Sequence, residues 1–133
     1  MTLHHTHYTV SEVFDMLGEE ALSINEVGYR RNRKSIEVEG YKVYTESLRY
    51  ATFYQKGCKC AACGKEGVYF QLDTGDNTSR RHFNLYAEDG TLMTKDHIIP
   101  TSRGGRYNAV ENLQTMCVIC NRAKGCKLPS DNT

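Results

Sequence analysis

Four of the six cysteines in this 133-residue chain stand in two Cys-x2-Cys pairs, and this spacing constrains the fold more than any other feature of the sequence. The pairs are "CAAC", with Cys60 and Cys63, and "CVIC", with Cys117 and Cys120. A Cys-x2-Cys turn directs two thiolates at one point, so two such turns complete a tetrahedral four-sulfur structural zinc site. The alternative is that buried free thiols share this spacing by chance. Cys58 and Cys126 have no partner at ligand spacing, although Cys58 is an alternative to Cys60.

The size and composition of the chain fit one small domain, or one domain with an extension. A hydrophobic fraction of 39% allows only a modest core, and a chain of this size often needs a staple such as a metal ion. No run of about 18 apolar residues is present, and the N-terminus lacks the basic and apolar segments of an export signal. We therefore expect a cytoplasmic protein in which thiols bind metal and do not form disulfides.

Charge is distributed unevenly, although the formal net charge is only +1. The segment from Lys95 to Lys127 contains six basic residues and only two acidic ones, Asp96 and Glu111. Another basic run, "RRNRK", ends at Lys34. Such stretches indicate either a solvated face or contacts to nucleic acid phosphates.

The hydrophobic pattern predicts an α+β protein. Thr9 and Glu12 form a capping box before apolar residues at helical spacing, which predicts a helix over residues 10–17 that ends at Gly18. Residues 35–44 alternate around Gly40 and predict a β-hairpin. A second helix is predicted from Thr45 to about Gln55, with its inward face formed by Leu48, Ala51, Phe53 and Tyr54, and with Gly57 after it. The opening histidines, His4, His5 and His7, are interpreted as a frayed terminus.

Five further elements are predicted after the first cysteine pair. "GVYFQL" is a short strand, and the residues on either side of Glu88–Thr91 predict two strands joined as a hairpin. The second of these strands ends at Asp96 and His97, and a loop follows over residues 99–112. "LQTMC" predicts a strand that enters the second cysteine pair, and "NRAKG" predicts one or two helical turns that stop at Gly125.

The order of the motifs "DHIIP", "SRGG", "ENLQ" and "CNRAKG" between and after the cysteine pairs resembles the HNH endonuclease family, in the zinc-bearing version found in many phage and bacterial nucleases. The resemblance covers residues 58–127, about half of the chain. It implies the ββα-metal (His-Me finger) fold, in which two antiparallel strands and a helix surround a catalytic metal ion. His97 is then the first signature residue, Asn112 the middle one and Asn121 the last. Many members have histidine at the last position, so this chain is an H-N-N variant.

Hydrolysis of a phosphodiester needs an activated water and a group that stabilises charge on the phosphate and the leaving oxygen. Histidine takes up protons near neutral pH, so His97 is assigned as the general base. Carboxylate and amide oxygens suit Mg²⁺ or Mn²⁺, and Ni²⁺ is a further candidate, so Asp96 and Asn121 are assigned to the catalytic ion. By analogy with the family, Asn112 holds the loop by hydrogen bonds and is not a ligand. The candidate phosphate contacts are Arg103, Arg106, Arg122 and Lys124.

One geometric condition applies to this assignment. Neighbouring residues on a regular strand point to opposite faces, so Asp96 and His97 serve one site only if the strand twists, bulges or ends there. Pro100 helps to end the strand, and Gly104 and Gly105 allow a tight turn that approaches another backbone segment closely.

We divide the chain into an N-terminal helix-hairpin-helix extension (1–57), an HNH nuclease domain (58–127) and a flexible tail (128–133). The extension is interpreted in two ways. Its basic hairpin contacts DNA and its tyrosines 41, 44, 50 and 54 stack on bases, or these tyrosines are packing residues. The predicted function is DNA hydrolysis, by a nick or a double-strand break, in a monomer or homodimer. The alternatives are a zinc-knuckle module that binds nucleic acid without catalysis, and a structural adaptor.

Overall fold

The structure is a computed structural model, and it describes residues 7–26, 33–74 and 80–128. Within these ranges the strands are β1 (His7–Thr9), β2 (Ser35–Val38), β3 (Tyr41–Tyr44), β4 (Gly67–Thr74), β5 (Arg81–Ala87), β6 (Met93–His97) and β7 (Leu113–Cys117). The helices are α1 (Val10–Leu17), α2 (Glu19–Leu22), α3 (Leu48–Lys56) and α4 (Val118–Lys124). The α+β class predicted from the sequence is confirmed. The predictions for His4, His5, Arg30, Arg31 and the tail after residue 128 lie outside the described residues.

The N-terminal helix begins as its capping box predicts. The Glu12 amide donates to Thr9 Oγ1 over 3.0 Å, and the Thr9 amide donates to Glu12 Oε1 over 2.8 Å. Gly18 follows the helix at a φ of 89°, a value that side-chain-bearing residues rarely adopt. His7 does not belong to a frayed terminus, because it lies in β1 and pairs with Gln71 of β4. The pairing partner is more than 60 residues away in sequence, which is why local reasoning missed it.

The hairpin of β2 and β3 is confirmed, with Glu39 and Gly40 at positive φ in the turn. Helix α3 begins later than predicted because Ser47 caps it, accepting from the amides of Arg49 and Tyr50. Its inward face is also rotated: Tyr50 is buried, whereas Tyr54 is 39% exposed. The Tyr50 hydroxyl accepts a hydrogen bond from the Phe83 amide, which provides a polar partner for this buried ring.

The predicted hairpin between β5 and β6 is wrong. The chain does reverse there, with the Ala87 amide bonded to the Thr91 carbonyl, but only Tyr86 and Leu92 form a bridge across the turn. Instead, β5 pairs with β4 in the sheet β1-β4-β5, and β6 pairs with β7 in a separate antiparallel ladder. Turn chemistry fixes a chain reversal, whereas pairing is decided by distant strands that bury more surface.

The core is shared by residues from both sides of the predicted boundary at residue 57. Phe53 of α3, Phe70 of β4 and Phe83 of β5 form a chain of aromatic contacts, with ring centroids 6.2 and 6.1 Å apart. Val13 of α1 and Met93 of β6 are buried in the same cluster. The division into an extension and a nuclease domain stays a prediction, and the N-terminal segment supplies much of the core on which β6 rests.

A network of side-chain hydrogen bonds surrounds Asp73 on the β1-β4-β5 sheet. Asp73 of β4 accepts hydrogen bonds from Tyr86, Asn84 and Gln71 over 2.6 to 2.7 Å. Burial on its own raises the pKa of Asp73, but these three donors outweigh it and lower the pKa below its usual value.

None of the helices within the described ranges has the length and apolar character needed to cross a membrane.

Strands β6 and β7 and helix α4 form a ββα unit, as the ββα-metal fold requires. The register places Met93 opposite Cys117 and His97 opposite Leu113, and α4 follows β7 directly. Cys117 is the N-cap of α4 and its sulfur accepts from the Cys120 amide. The second cysteine pair therefore forms the corner between β7 and α4.

Candidate active site

The four cysteines of the two Cys-x2-Cys pairs come together at one point. The sulfur atoms of Cys60, Cys63, Cys117 and Cys120 all lie within 4.8 Å of one another. The sulfurs of Cys63 and Cys117 are 3.9 Å apart. Ligands at about 2.3 Å from a tetrahedral zinc ion lie about 3.8 Å from each other. The cluster therefore has the donor set and the spacing of a closed four-sulfur metal site.

Backbone amides prepare one sulfur of the cluster for metal binding. Burial on its own raises the pKa of the Cys60 thiol, but hydrogen bonds from the backbone of Cys117, Cys63 and Ala62 lower it to about 6. Hydrogen bonding to the Cys117 sulfur contributes most to raising the pKa of Cys120 to about 12. Crowded sulfurs resist a second negative charge, and a cation among them would stabilise the thiolates.

The remaining two cysteines stay outside this cluster. The Cys58 side chain contacts the Phe53 carbonyl, and burial raises its thiol pKa to about 11. Cys126 is exposed beyond the end of α4. Cys60, not Cys58, is thus the cluster member from the first pair.

The second site lies between β6 and α4. Thr94 and Asp96 are two residues apart on β6, so both face α4. Asn121 of α4 donates from Nδ2 to Thr94 Oγ1 over 2.9 Å. Gln114, opposite Asp96 in the ladder, donates to Asp96 Oδ2 over 2.9 Å. Asp96 and Asn121 therefore share this interface, as the assignment of a common ion to them requires.

Lys124 also lies in this interface, which differs from the surface position predicted for it. Its ammonium group is 3.3 Å from Asp96 Oδ2 and donates to the His97 carbonyl over 2.9 Å. The side chains of Lys124 and Asp96 are only 8% and 7% exposed. Because Lys124 follows Asn121 by three residues, it falls on the same face of α4. A lysine buried in this way balances the charge of Asp96, and its contact to a DNA phosphate stays a prediction.

His97 is the last residue of β6, so the condition for Asp96 and His97 to leave the alternation of the strand is met. Its imidazole turns toward the loop that follows, stacks on Tyr107 with centroids 5.4 Å apart, and places Nε2 3.0 Å from the Tyr107 carbonyl oxygen. A carbonyl oxygen only accepts, so Nε2 carries the ring proton and Nδ1 keeps a lone pair. Within the described residues no hydrogen bond joins this imidazole to Asp96 or Asn121.

Asn112 ties the two ends of this loop together. It is 8% exposed, its Oδ1 accepts from the Ile99 amide, and its Nδ2 donates to the carbonyls of Ile99 and Arg106, each over 2.9 Å. Gly105 packs so closely that a Cβ atom would lie 1.8 Å from the Ile99 carbonyl oxygen. The hydrogen bonds and the close approach expected for this loop are both present.

The other candidate phosphate contacts lie at the surface around the loop. Arg106 forms an ion pair with Glu111 over 2.6 Å and a second ion pair with Glu26. The pair with Glu26 attaches the loop to the N-terminal segment. Arg103 is exposed and contacts the Cys126 carbonyl, and Arg122 is exposed on α4. Their DNA contacts stay a prediction.

Sequence reasoning missed the partners of the signature residues. Lys124 could have been found from its spacing of three residues after Asn121 on one helix face. Gln114 and Tyr107 could not, because their places depend on the β6–β7 register and on closure of the loop.

Comparison with known proteins agrees with this geometry. Residues 87–132 match the model of a family described as HNH endonuclease. Over 97 residues the chain is 24% identical to the CRISPR-associated endonuclease Cas9 of Corynebacterium diphtheriae, a match that covers 73% of this chain and 7% of Cas9. The chain thus spans a small part of that relative. A search of solved structures found no significant match. The segment that matches the HNH endonuclease model, residues 87–132, contains the whole ββα unit.

Proposed function

We propose that the protein is a metal-dependent endonuclease that hydrolyses DNA phosphodiester bonds, with His97 as the general base. The observation that carries the proposal is the hydrogen bond between His97 Nε2 and the Tyr107 carbonyl, at the end of the strand that bears Asp96. This bond selects the tautomer whose Nδ1 can accept a proton from water. The neighbouring carboxylate and amide then serve the same reaction.

The residues between β6 and α4 fit a hard divalent cation. Asp96 offers a carboxylate, and the Asn121 amide nitrogen is used by Thr94, which leaves its oxygen as the donor atom for an ion. Lys124 already places a positive charge against Asp96, so this position accommodates a cation. Mg²⁺, Mn²⁺ or Ni²⁺ held by Asp96 and Asn121 would stabilise negative charge on the phosphate and on the departing oxygen.

Lys124 has two roles in this proposal. While Asp96 has no divalent partner, the ammonium group compensates a carboxylate that is almost fully buried. A divalent ion at Asp96 would compete with Lys124 for Oδ2, and Lys124 could keep its bond to the His97 carbonyl.

The four-cysteine cluster has a structural role and would hold Zn²⁺. It joins the loop that contains Cys60 and Cys63 to the corner between β7 and α4, so it fixes the helix that carries Asn121. Four sulfur ligands leave no open coordination position, which separates this ion from the one used in catalysis.

Supercoiled plasmid, Mg²⁺ and gel electrophoresis test the proposal. The wild-type protein should convert the plasmid to a nicked or linear form. His97→Ala should bind DNA but nick it at least about 100-fold more slowly, because the general base is lost. His7→Ala, a histidine substitution in β1 on another sheet, should nick at the wild-type rate.

The outcome that contradicts the proposal is equally clear. Plasmid cleavage by His97→Ala at the wild-type rate removes the assignment of the base. Binding of DNA by the wild-type protein without any cleavage favours the non-catalytic zinc-knuckle module. The same gel distinguishes nicks from double-strand breaks, and the dependence of linear product on protein concentration distinguishes monomer from homodimer.

A further inference from the structure

A second positively charged site lies away from the residues matched by the family model. A cleft of about 380 Å³ opens between the β2–β3 hairpin, the start of α3 and the start of β5. We name it the arginine cleft after four of its lining residues, Arg33, Arg49, Arg80 and Arg81. No carboxylate is among the described residues that line it. Four guanidinium groups around one opening give it a positive potential that attracts anions.

Tyrosine rings hold three of these guanidinium groups. Arg33 and Arg80 lie 4.0 and 5.3 Å from the centroid of the Tyr44 ring, and Arg81 lies 3.8 Å from that of Tyr41. Stacking on a ring fixes the plane of a guanidinium group and directs its N–H groups toward the edge of that plane. Tyr41 and Tyr44 therefore each position at least one arginine of the cleft.

Arg49 extends the positive charge from the cleft to β6. Its Nη2 donates to the Phe83 carbonyl over 3.0 Å, whereas its buried Nε has no hydrogen-bond partner within the described residues. Lys95, which directly precedes Asp96, is half-buried beside it. Arg49 and Lys95 thus place two positive charges close together.

The start of α3 also borders the cleft. Ser47, the N-cap of this nine-residue helix, lines the cleft, and the positive end of the helix dipole points in the same direction. Arg33, Arg80 and Arg49, whose Nε has no hydrogen-bond partner among the described residues, favour an anion that can accept several hydrogen bonds. A phosphate group in a nucleic acid backbone has this chemistry.

We propose that the arginine cleft binds backbone phosphates of the DNA substrate at a distance from the phosphate that is cleaved. The inference rests on the proposed nuclease function for the identity of the nucleic acid. Contacts are made to phosphates and not to bases, so the cleft adds affinity without sequence preference. The hairpin and the tyrosines of the N-terminal segment thus serve DNA binding indirectly.

The test is fluorescence anisotropy with a labelled 30-base-pair duplex and no added divalent ion. The double variant Arg33→Ala/Arg80→Ala removes two guanidinium groups whose described contacts are to the Tyr44 ring, so the fold should persist. The control Lys34→Ala/Lys59→Ala removes the same charge from exposed side chains outside the cleft. Thermal unfolding verifies that both variants are folded.

The cleft variant should bind about tenfold more weakly, since each charge-assisted phosphate contact contributes substantially. The slope of log affinity against log salt concentration should be smaller in magnitude by about 1.8, because each lost phosphate contact reduces this slope by about 0.9. The control should differ little from wild type in both quantities. Cleavage by the same proteins is measured separately with plasmid and Mg²⁺.

Two results would overturn the inference: wild-type affinity and salt slope in Arg33→Ala/Arg80→Ala, or no binding of DNA by the wild-type protein. The first leaves the nuclease proposal intact if wild type nicks plasmid and His97→Ala does not. Conversely, weakened binding by the cleft variant supports the inference even if no protein nicks DNA, in which case the proposed function alone fails.

Discussion

Replacing Asn112 by alanine tests how the loop is held beside the candidate base. The substitution removes three hydrogen bonds of 2.9 Å to the backbone of Ile99 and Arg106. A buried hydrogen bond contributes about 1 kcal/mol, so complete loss costs about 3 kcal/mol. Ile99 is 41% exposed, so water can replace part of this, and we expect a loss of about 2 to 3 kcal/mol. For a chain of this length the loss lowers Tm by about 6 to 12 °C.

The loop also carries the carbonyl that accepts from His97, so activity should fall more than stability suggests. Tyr107 directly follows Arg106, whose carbonyl Asn112 holds. Once this end of the loop is released, the imidazole loses its orientation, and a displacement of about 1 Å can slow a reaction about 100-fold. DNA affinity should fall less than the nicking rate, because the arginine cleft lies outside this loop, which carries only Arg103 and Arg106 of the candidate phosphate contacts.

Scanning calorimetry and single-turnover plasmid nicking, both performed well below the Tm of the variant, measure the two effects. Asn108→Ala provides the matched control, since it is the same substitution at an exposed position of the same loop. A Tm for Asn112→Ala equal to that of Asn108→Ala would refute the energetic argument. A wild-type nicking rate would refute the positioning argument.

Three further substitutions test other parts of the account. Gly105→Ala should lower both Tm and nicking, since its Cβ would lie 1.8 Å from the Ile99 carbonyl; a folded, fully active variant would contradict the required close approach. Without divalent ions, Lys124→Ala should lower the free energy of unfolding by about 3 kcal/mol, because it removes the cation paired with Asp96. Mg²⁺ should then raise the Tm of this variant more than that of the wild-type protein. Equal Tm shifts in calorimetry would exclude competition between Mg²⁺ and Lys124. Asp73→Asn should lower Tm more at pH 7 than at pH 3. Folding lowers the pKa of Asp73, so its contribution to stability is present above its pKa in the unfolded chain, about 3.9. This contribution is lost as the pH falls through its lower pKa in the folded protein. An equal loss of Tm at both pH values would contradict this.

Sequence patterns predicted those features that depend on local chemistry. The spacing of the two cysteine pairs is enough to identify the four-sulfur cluster, because each turn already converges its own two thiolates. The capping box of α1 and the turn residues of the β2–β3 hairpin are similarly local. The bracing role of Asn112 needed the family resemblance, since an asparagine in isolation indicates only a turn.

Predictions that depend on long-range pairing were wrong, and several long-range contacts were not predicted. Strands β5 and β6 follow one another across a good turn but pair with β4 and β7, which the turn residues do not reveal. The burial of Lys124 follows from α4 packing on β6, and basic composition suggested a surface role. The arginine cleft joins Arg33 to Arg80 across 47 positions through one tyrosine, so no sequence window contains it.

We propose that two metal ions have separate roles, a sulfur-bound one in the fold and an oxygen-bound one in catalysis. The most direct test is to dialyse the protein briefly against EDTA, then measure zinc content, circular dichroism and plasmid nicking on the same sample before and after adding Mg²⁺. We predict about one retained zinc ion per chain, a folded protein, no nicking in EDTA and full recovery with Mg²⁺ alone. Nicking that persists in EDTA, or a folded and active protein without zinc, would contradict the account.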